Sequence, residues 1–173
     1  MAAIVIYYSR KGENYWAGGI RSLQKGNTEV VAEFVAEATG ADLFEVETVE
    51  DYPADYYQCT DVAKTELRDQ ARPAVREMPD VAAYDTIFLG YPNWWGTMPM
   101  CLYTVIEELA ATGALEGRRI CPFCTNEGSG LGGSARELKK IAKGATVEQG
   151  LSVTGNQAAQ SRAAAQRWAK RFA

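Results

Sequence analysis

Ala3-Ile4-Val5-Ile6-Tyr7-Tyr8-Ser9-Arg10-Lys11-Gly12-Glu13-Asn14 changes character once, at Ser9. Ala3 to Tyr8 is a continuous apolar run of strand length, the pattern of a strand covered on both faces. Beyond Ser9 the chain turns polar and stays so through Tyr15-Trp16 to Lys25-Gly26-Asn27-Thr28. From Thr28 to Ala38, Val30, Val31, Phe34, Val35 and Ala38 recur at helical spacing. Thr28 stands at the N-cap or in the first turn, and Gly40 follows the end. A buried strand leading to a helix opens a βαβ unit. Ser9 to Asn27 is long for the loop between them, and long loops in compact domains are usually functional.

The alternation continues to the end of the chain. Leu43 to Val49 alternates apolar and polar residues, as a half-exposed strand near a sheet edge does. Asp51-Tyr52-Pro53 reads as a turn, Thr60 to Gln70 as a helix and Thr86 to Gly90 as a buried strand. Pro99 to Ala111 is helical, with Pro99 near its first turn. Arg119 to Cys124 and Val147 to Val153 supply a fourth and a fifth strand, and Asn156 to Phe172 a closing helix. Five strands alternating with helices predict one α/β domain over 1–173, a doubly wound parallel sheet with helices on both faces.

Bulk properties narrow the function. The chain has 173 residues, 47% hydrophobic and 23% charged, which is ordinary globular composition. No stretch has the length of a membrane span. The first residues carry neither a basic region nor a small-residue cleavage site, so a cytoplasmic location is expected. The net charge is −4, and the 18 Lys and Arg residues are scattered, so neither nucleic acid nor a membrane is expected as a partner. There is no histidine, which removes Ser-His-Asp and Cys-His chemistry and histidine-ligated zinc. The chemistry must come from another base or from a cofactor.

Ligands in open α/β sheets lie beyond the carboxyl ends of the strands. Three stretches in this sequence occupy such positions. After strand one, Ser9 to Asn14 and then Gly26-Asn27-Thr28 bring hydroxyls, an amide and a helix N-terminus together, which makes an anion site; capping by Asn27 or Thr28 is the plain structural alternative. After strand three, Pro92-Asn93-Trp94-Trp95-Gly96 places two adjacent tryptophans in a loop, and at least one should face a planar ligand or a partner. After strand four, Thr125-Asn126-Glu127-Gly128-Ser129-Gly130 lets backbone approach a ligand closely. Gly128, Gly130 and Gly133 match G-x-G-x-x-G, but the dinucleotide fingerprint belongs after the first strand, so this stretch is read as a flexible loop over a ligand. Cys121 and Cys124 form a C-x-x-C inside a strand, where residues three apart point to opposite faces, which argues against a redox dithiol. Asp51, Asp55 and Asp61 read as solvated loop carboxylates.

Together, these stretches resemble the flavodoxin family, in a branch whose phosphate loop is split by an insertion before Gly26-Asn27-Thr28-Glu29. The resemblance spans nearly the whole chain and implies the sheet order 2-1-3-4-5. It also implies an FMN cofactor, with phosphate against Ser9, Asn14, Asn27 and Thr28. The ring would lie against the Pro92–Gly96 and Thr125–Gly130 loops, including Asn93, Trp94, Trp95, Asn126, Glu127 and Gly128. Arg10, Lys11 and Gly12 belong to the same loop, where the two cations either add charge or are solvated. Tyr15 and Trp16 either cover the flavin or pack on the surface. Two functions follow from the resemblance: an electron carrier between redox partner proteins or small acceptors, and an NAD(P)H-dependent FMN quinone reductase. The missing nicotinamide motif favours the carrier. A receiver-type signalling module would need acidic residues where Tyr8-Ser9-Arg10 stands.

Overall fold

The computed structural model describes residues 2–173. β1 (Ala3–Tyr7), β4 (Asp42–Glu45), β5 (Thr86–Pro92), β6 (Arg119–Asn126), β7 (Thr146–Val147) and β8 (Leu151–Thr154) form one parallel sheet in the order β4-β1-β5-β6-β7, with β8 also on β6. In chain order this is the expected 2-1-3-4-5, except that the fifth position is shared by two short strands. The Glu148 N–H donates to the Ile120 carbonyl, so Ile120 and every second residue after it on β6 face the fifth position. Pro122 is the next such residue and has no N–H to give, and the fifth strand breaks opposite it.

Strand pleating sends alternate residues of β1 to opposite faces. Ile4, Ile6 and Tyr8 join a core with Ile87, Leu89, Leu102 and Ile106, covered by α2 (Tyr56–Arg68), α3 (Met100–Ala111) and α4 (Ser134–Ile141). Val5 and Tyr7 join Val31, Val35, Phe88, Phe123 and Trp168, under α1 (Asn27–Thr39) and α5 (Arg162–Lys170). α1 buries Thr28, Val31, Ala32 and Val35, a stripe at helical spacing, and stops at Gly40 (φ 70), whose N–H donates to the Ala36 carbonyl at 2.8 Å. Gly90 has no room for a side chain, because Phe123 of the neighbouring strand lies across it.

Several boundaries depart from the sequence reading. The split loop is not irregular: β2 (Gly12–Trp16) and β3 (Gly19–Leu23) form an antiparallel hairpin that pairs with no other strand. Its two-residue turn is Ala17-Gly18, with φ 47 and 93, both in the left-handed region as a type I′ turn requires. α2 starts at Tyr56 rather than Thr60, because Asp55 caps it by accepting from the Gln58 N–H at 2.8 Å. β4 ends at Glu45, short of Val49, and the expected closing helix is divided into a 3-10 turn (Gly155–Gln160) and α5. α4 had no counterpart in the sequence reading.

Candidate functional site

The site lies at the carboxyl edge of the sheet, where β1, β5, β6 and β8 end beside the N-terminus of α1. Gly26 is the N-cap of α1 and offers no side-chain cap. Ser9 supplies one: its buried hydroxyl accepts from the N–H of Glu29, 20 residues later, at 3.1 Å. A Cβ on Gly26 would run into Ser9 Oγ and come to 2.6 Å from the Arg10 carbonyl oxygen. The exit of β1 and the start of α1 are therefore in contact, and the hairpin loops out between them. Asn27 and Thr28, the first residues of α1, line the cleft, and the N–H groups of a helix's first turn have no intrahelical acceptor.

A polar cleft of about 200 Å³ runs from Asn27 and Thr28 past Thr125, Asn126, Glu127, Ser129 and Gly155. The Thr28 and Thr125 hydroxyls are 2.8 Å apart and buried, so Thr28 serves the packing as well as the cleft. The Glu127 carboxylate lines the cleft with both oxygens committed to Asn156, from its backbone N–H at 3.1 Å and its side-chain amide at 2.9 Å. The cleft continues into an aromatic compartment of about 470 Å³ between the hairpin, α2 and the Trp94-Trp95 turn. Arg10, Asn14, Tyr15, Tyr56, Asn93 and Trp94 line both parts. The Trp94 ring stands edge-on to Tyr8 and Tyr52, at centroid distances of 5.2 and 5.0 Å. Trp95, half exposed, takes the left-handed φ of 56 and points at α2, its Nε1 donating to the Thr60 carbonyl at 2.9 Å. Backbone strain of this kind persists where surrounding contacts fix it, often at a ligand site.

The two loops expected to flank a ring are zipped together. Asn93 donates its side-chain amide to the Gly130 carbonyl at 2.9 Å and accepts from the Gly96 N–H at 2.8 Å. The Gly133 N–H donates to the Gly96 carbonyl at 2.8 Å. Asn126 Oδ1 accepts from both Gly128 and Gly130 N–H at 3.0 Å, while its amide donates to Ser152 Oγ. The loop read as flexible is thus pinned by two asparagines, Asn126 from within and Asn93 from the neighbouring loop.

Of the expected site residues, Arg10, Asn14, Asn27, Thr28, Pro92, Asn93, Trp94, Thr125, Asn126 and Glu127 line the polar cleft, and Trp95 lines the aromatic compartment. Ser9 and Lys11 face a separate groove beside Glu45 and Thr48. Gly12 starts the hairpin, and Gly96, Gly128 and Gly130 shape the loops through their backbone without lining either part. Asn14 spends its amide on the Arg10 and Gly12 carbonyls. Tyr56, Tyr57, Cys59, Thr60, Ala63 and Gly155 were missed as lining residues, and Ser129 lines the cleft from within the expected Thr125–Gly130 loop. The adjacent Tyr56-Tyr57 pair behind an Asp55-x-x-Gln58 cap was the available signal for the first two.

Burial pushes the Tyr56 hydroxyl and the Cys59 thiol above their ordinary values, with Arg10 opposing in both cases, so both stay protonated at neutral pH. Cys121 and Cys124 are buried in opposite cores, and burial pushes each thiol up to about 12, which leaves them unreactive. No group of three or more potential metal ligands occurs among the described residues. No helix there is long and apolar enough to cross a membrane. The polar cleft, beside the N-terminus of α1, is continuous with the aromatic compartment through the residues that line both.

A family model described as Flavodoxin matches residues 22–171. No curated protein matches the chain. Among solved structures, a Bacteroides eggerthii protein designated a flavoprotein shares 26% identity at a TM-score of 0.76, over 99% of this chain and 97% of its own. A counterpart from Bacteroides uniformis shares 25% at 0.73, over 98% and 97%. A flavoprotein of Lactobacillus acidophilus in complex with FMN shares 19% at 0.64, over 94% and 98%.

Proposed function

Since the chain belongs to the flavodoxin family, we propose that it holds FMN at the carboxyl edge of its sheet and passes electrons between redox partners in the cytoplasm. One observation carries this reading: a polar cleft at the start of α1 opens directly into an aromatic compartment, through residues that line both. That is the shape of a flavin mononucleotide, with one phosphate at one end and one planar ring at the other.

The donor set fits the group part by part. The Asn27 and Thr28 N–H groups, with the Asn27 amide, suit the phosphate. Glu127 is a pure acceptor when ionised and suits the hydroxyls of the ribityl chain, not the phosphate. Trp94, Trp95, Tyr15 and Tyr56 suit the ring. Bound FMN supplies the electron chemistry; the protein's residues bind it, orient it and exclude water from it. Tyr57 and Trp95 are 66% and 50% exposed, so the compartment opens beside an aromatic rim that an electron donor or acceptor can reach.

The test is a titration of the apoprotein with FMN, FAD and riboflavin, followed by mixing the loaded protein with NADH or NADPH in a stopped flow. FMN should bind more tightly than FAD, since the cleft joins one helix N-terminus to the aromatic compartment, and either nicotinamide should reduce the flavin slowly. FAD binding as tightly as FMN removes the mononucleotide reading. Fast reduction without an added reductase replaces the carrier by an NAD(P)H-dependent oxidoreductase.

A further inference from the structure

The β2–β3 hairpin shares no ladder with the main sheet, and a lone two-stranded hairpin is at best marginally stable. Something must hold it, and the contacts identify what does. The Glu13 carboxylate reaches 43 residues along the chain and accepts from the Tyr56 N–H at 2.7 Å, the first free donor of α2. The Arg10 guanidinium donates to the Glu13 carbonyl at 2.9 Å and, from the same side chain, to the Pro53 and Ala54 carbonyls at 2.9 and 3.0 Å. The base of the hairpin is thereby tied to the loop that leads into α2. The Tyr15 and Tyr56 rings, carried by the two tied elements, lie 6.4 Å apart and form one wall of the aromatic compartment.

We propose that Glu13 is a positioning residue for the flavin site: by capping α2 at Tyr56 it holds the hairpin closed and keeps Tyr15 and Tyr56 against the ring's compartment. This rests on the FMN reading for the ligand but not for the latch itself. Glu13 touches neither the polar end of the cleft nor the aromatic compartment. It acts through Tyr56, and its loss is felt at the ring end and not at the phosphate.

The experiment compares wild type, Glu13→Ala and Glu13→Gln. Flavin dissociation is followed by the recovery of free-flavin fluorescence, with FMN and with riboflavin. A hydrogen bond to a charged acceptor predicts that Glu13→Ala speeds the release of both by a similar factor, about 10-fold. Glu13→Gln keeps an acceptor oxygen and should return both rates to within about 3-fold of wild type. Thermal unfolding should change little, because the hairpin lies outside the cooperative sheet. Tryptic cleavage after Arg21 of the hairpin, in the ligand-free protein, should be faster in Glu13→Ala and slow again in Glu13→Gln. Unchanged release and unchanged cleavage overturn the proposal. Faster release of FMN alone also overturns it, since the effect would then lie at the phosphate. If no flavin binds the wild type, the functional reading falls, and the cleavage rates still decide the latch.

Discussion

Replacing Gly26 by Ala tests the join between β1 and α1. Gly26 has φ −66 and ψ 155, angles open to any residue, so the substitution carries no backbone strain and its cost is steric. The new Cβ would sit 2.6 Å from the Arg10 carbonyl oxygen and run into Ser9 Oγ. Reaching an ordinary separation of about 3.5 Å requires the two segments to part by about 1 Å. Overpacking of this kind costs about 1–3 kcal/mol. Parting the segments also breaks the Ser9–Glu29 cap, a neutral hydrogen bond worth about 0.5–1.5 kcal/mol. The expected loss of stability is thus about 1.5–4.5 kcal/mol, read from urea unfolding. FMN affinity should fall on the order of 10-fold or more, and riboflavin affinity less, because the displaced element is the helix end that faces the anion. Gly19→Ala is the control: nothing lies within 4 Å of its Cβ and its φ is ordinary, so it should stay within about 0.5 kcal/mol of wild type. A Gly26→Ala protein as stable as the control, with wild-type FMN affinity, would refute the contact between β1 and α1 and the anion site built on it.

Thr28→Val alone should cost about 1–3 kcal/mol, because it strands the buried Thr125 hydroxyl, whereas the Thr28→Val/Thr125→Val double variant should recover much of that loss; additive losses in unfolding experiments would mean that the pair is not coupled. Trp94→Ala should lower stability by about 2–4 kcal/mol, as its ring packs on Tyr8 and Tyr52, while Trp95→Ala should stay within about 1 kcal/mol and still weaken flavin binding; equal effects on stability would contradict their different burial. Burial holds the Glu66 carboxyl above its ordinary value of 4.5, the hydrogen bond from Tyr52 opposing, so the folded state keeps this proton more tightly than the unfolded state. This group therefore destabilises the fold at neutral pH, and the penalty is relieved as the pH falls through the raised value towards 4.5. The stability difference between Glu66→Gln and wild type should shrink on acidification across that window, and a difference independent of pH would refute the assignment.

What the sequence determined by itself was whatever its local patterns carry. Apolar runs and helical spacing gave the strands and helices of one parallel sheet, because each pattern reports burial of a short segment whatever it packs against. The same reasoning placed Asn27, Trp94 and Thr125 beyond strand ends, where the cleft is found. Tertiary structure alone decided the rest. The hairpin was illegible because residues 12–23 bury little and Ala17 takes a left-handed angle that alanine rarely adopts, although Gly18-Gly19 marked the turn. The break between β7 and β8 follows from Pro122 on a neighbouring strand. The cap of α1 by Ser9 and the tie of Glu13 to Tyr56 join residues 20 and 43 positions apart. Local propensity is a property of neighbours in the chain. A hydrogen bond across such a distance exists only once the sheet has brought its ends together, so the residues that shape this site are those the sequence could not pair.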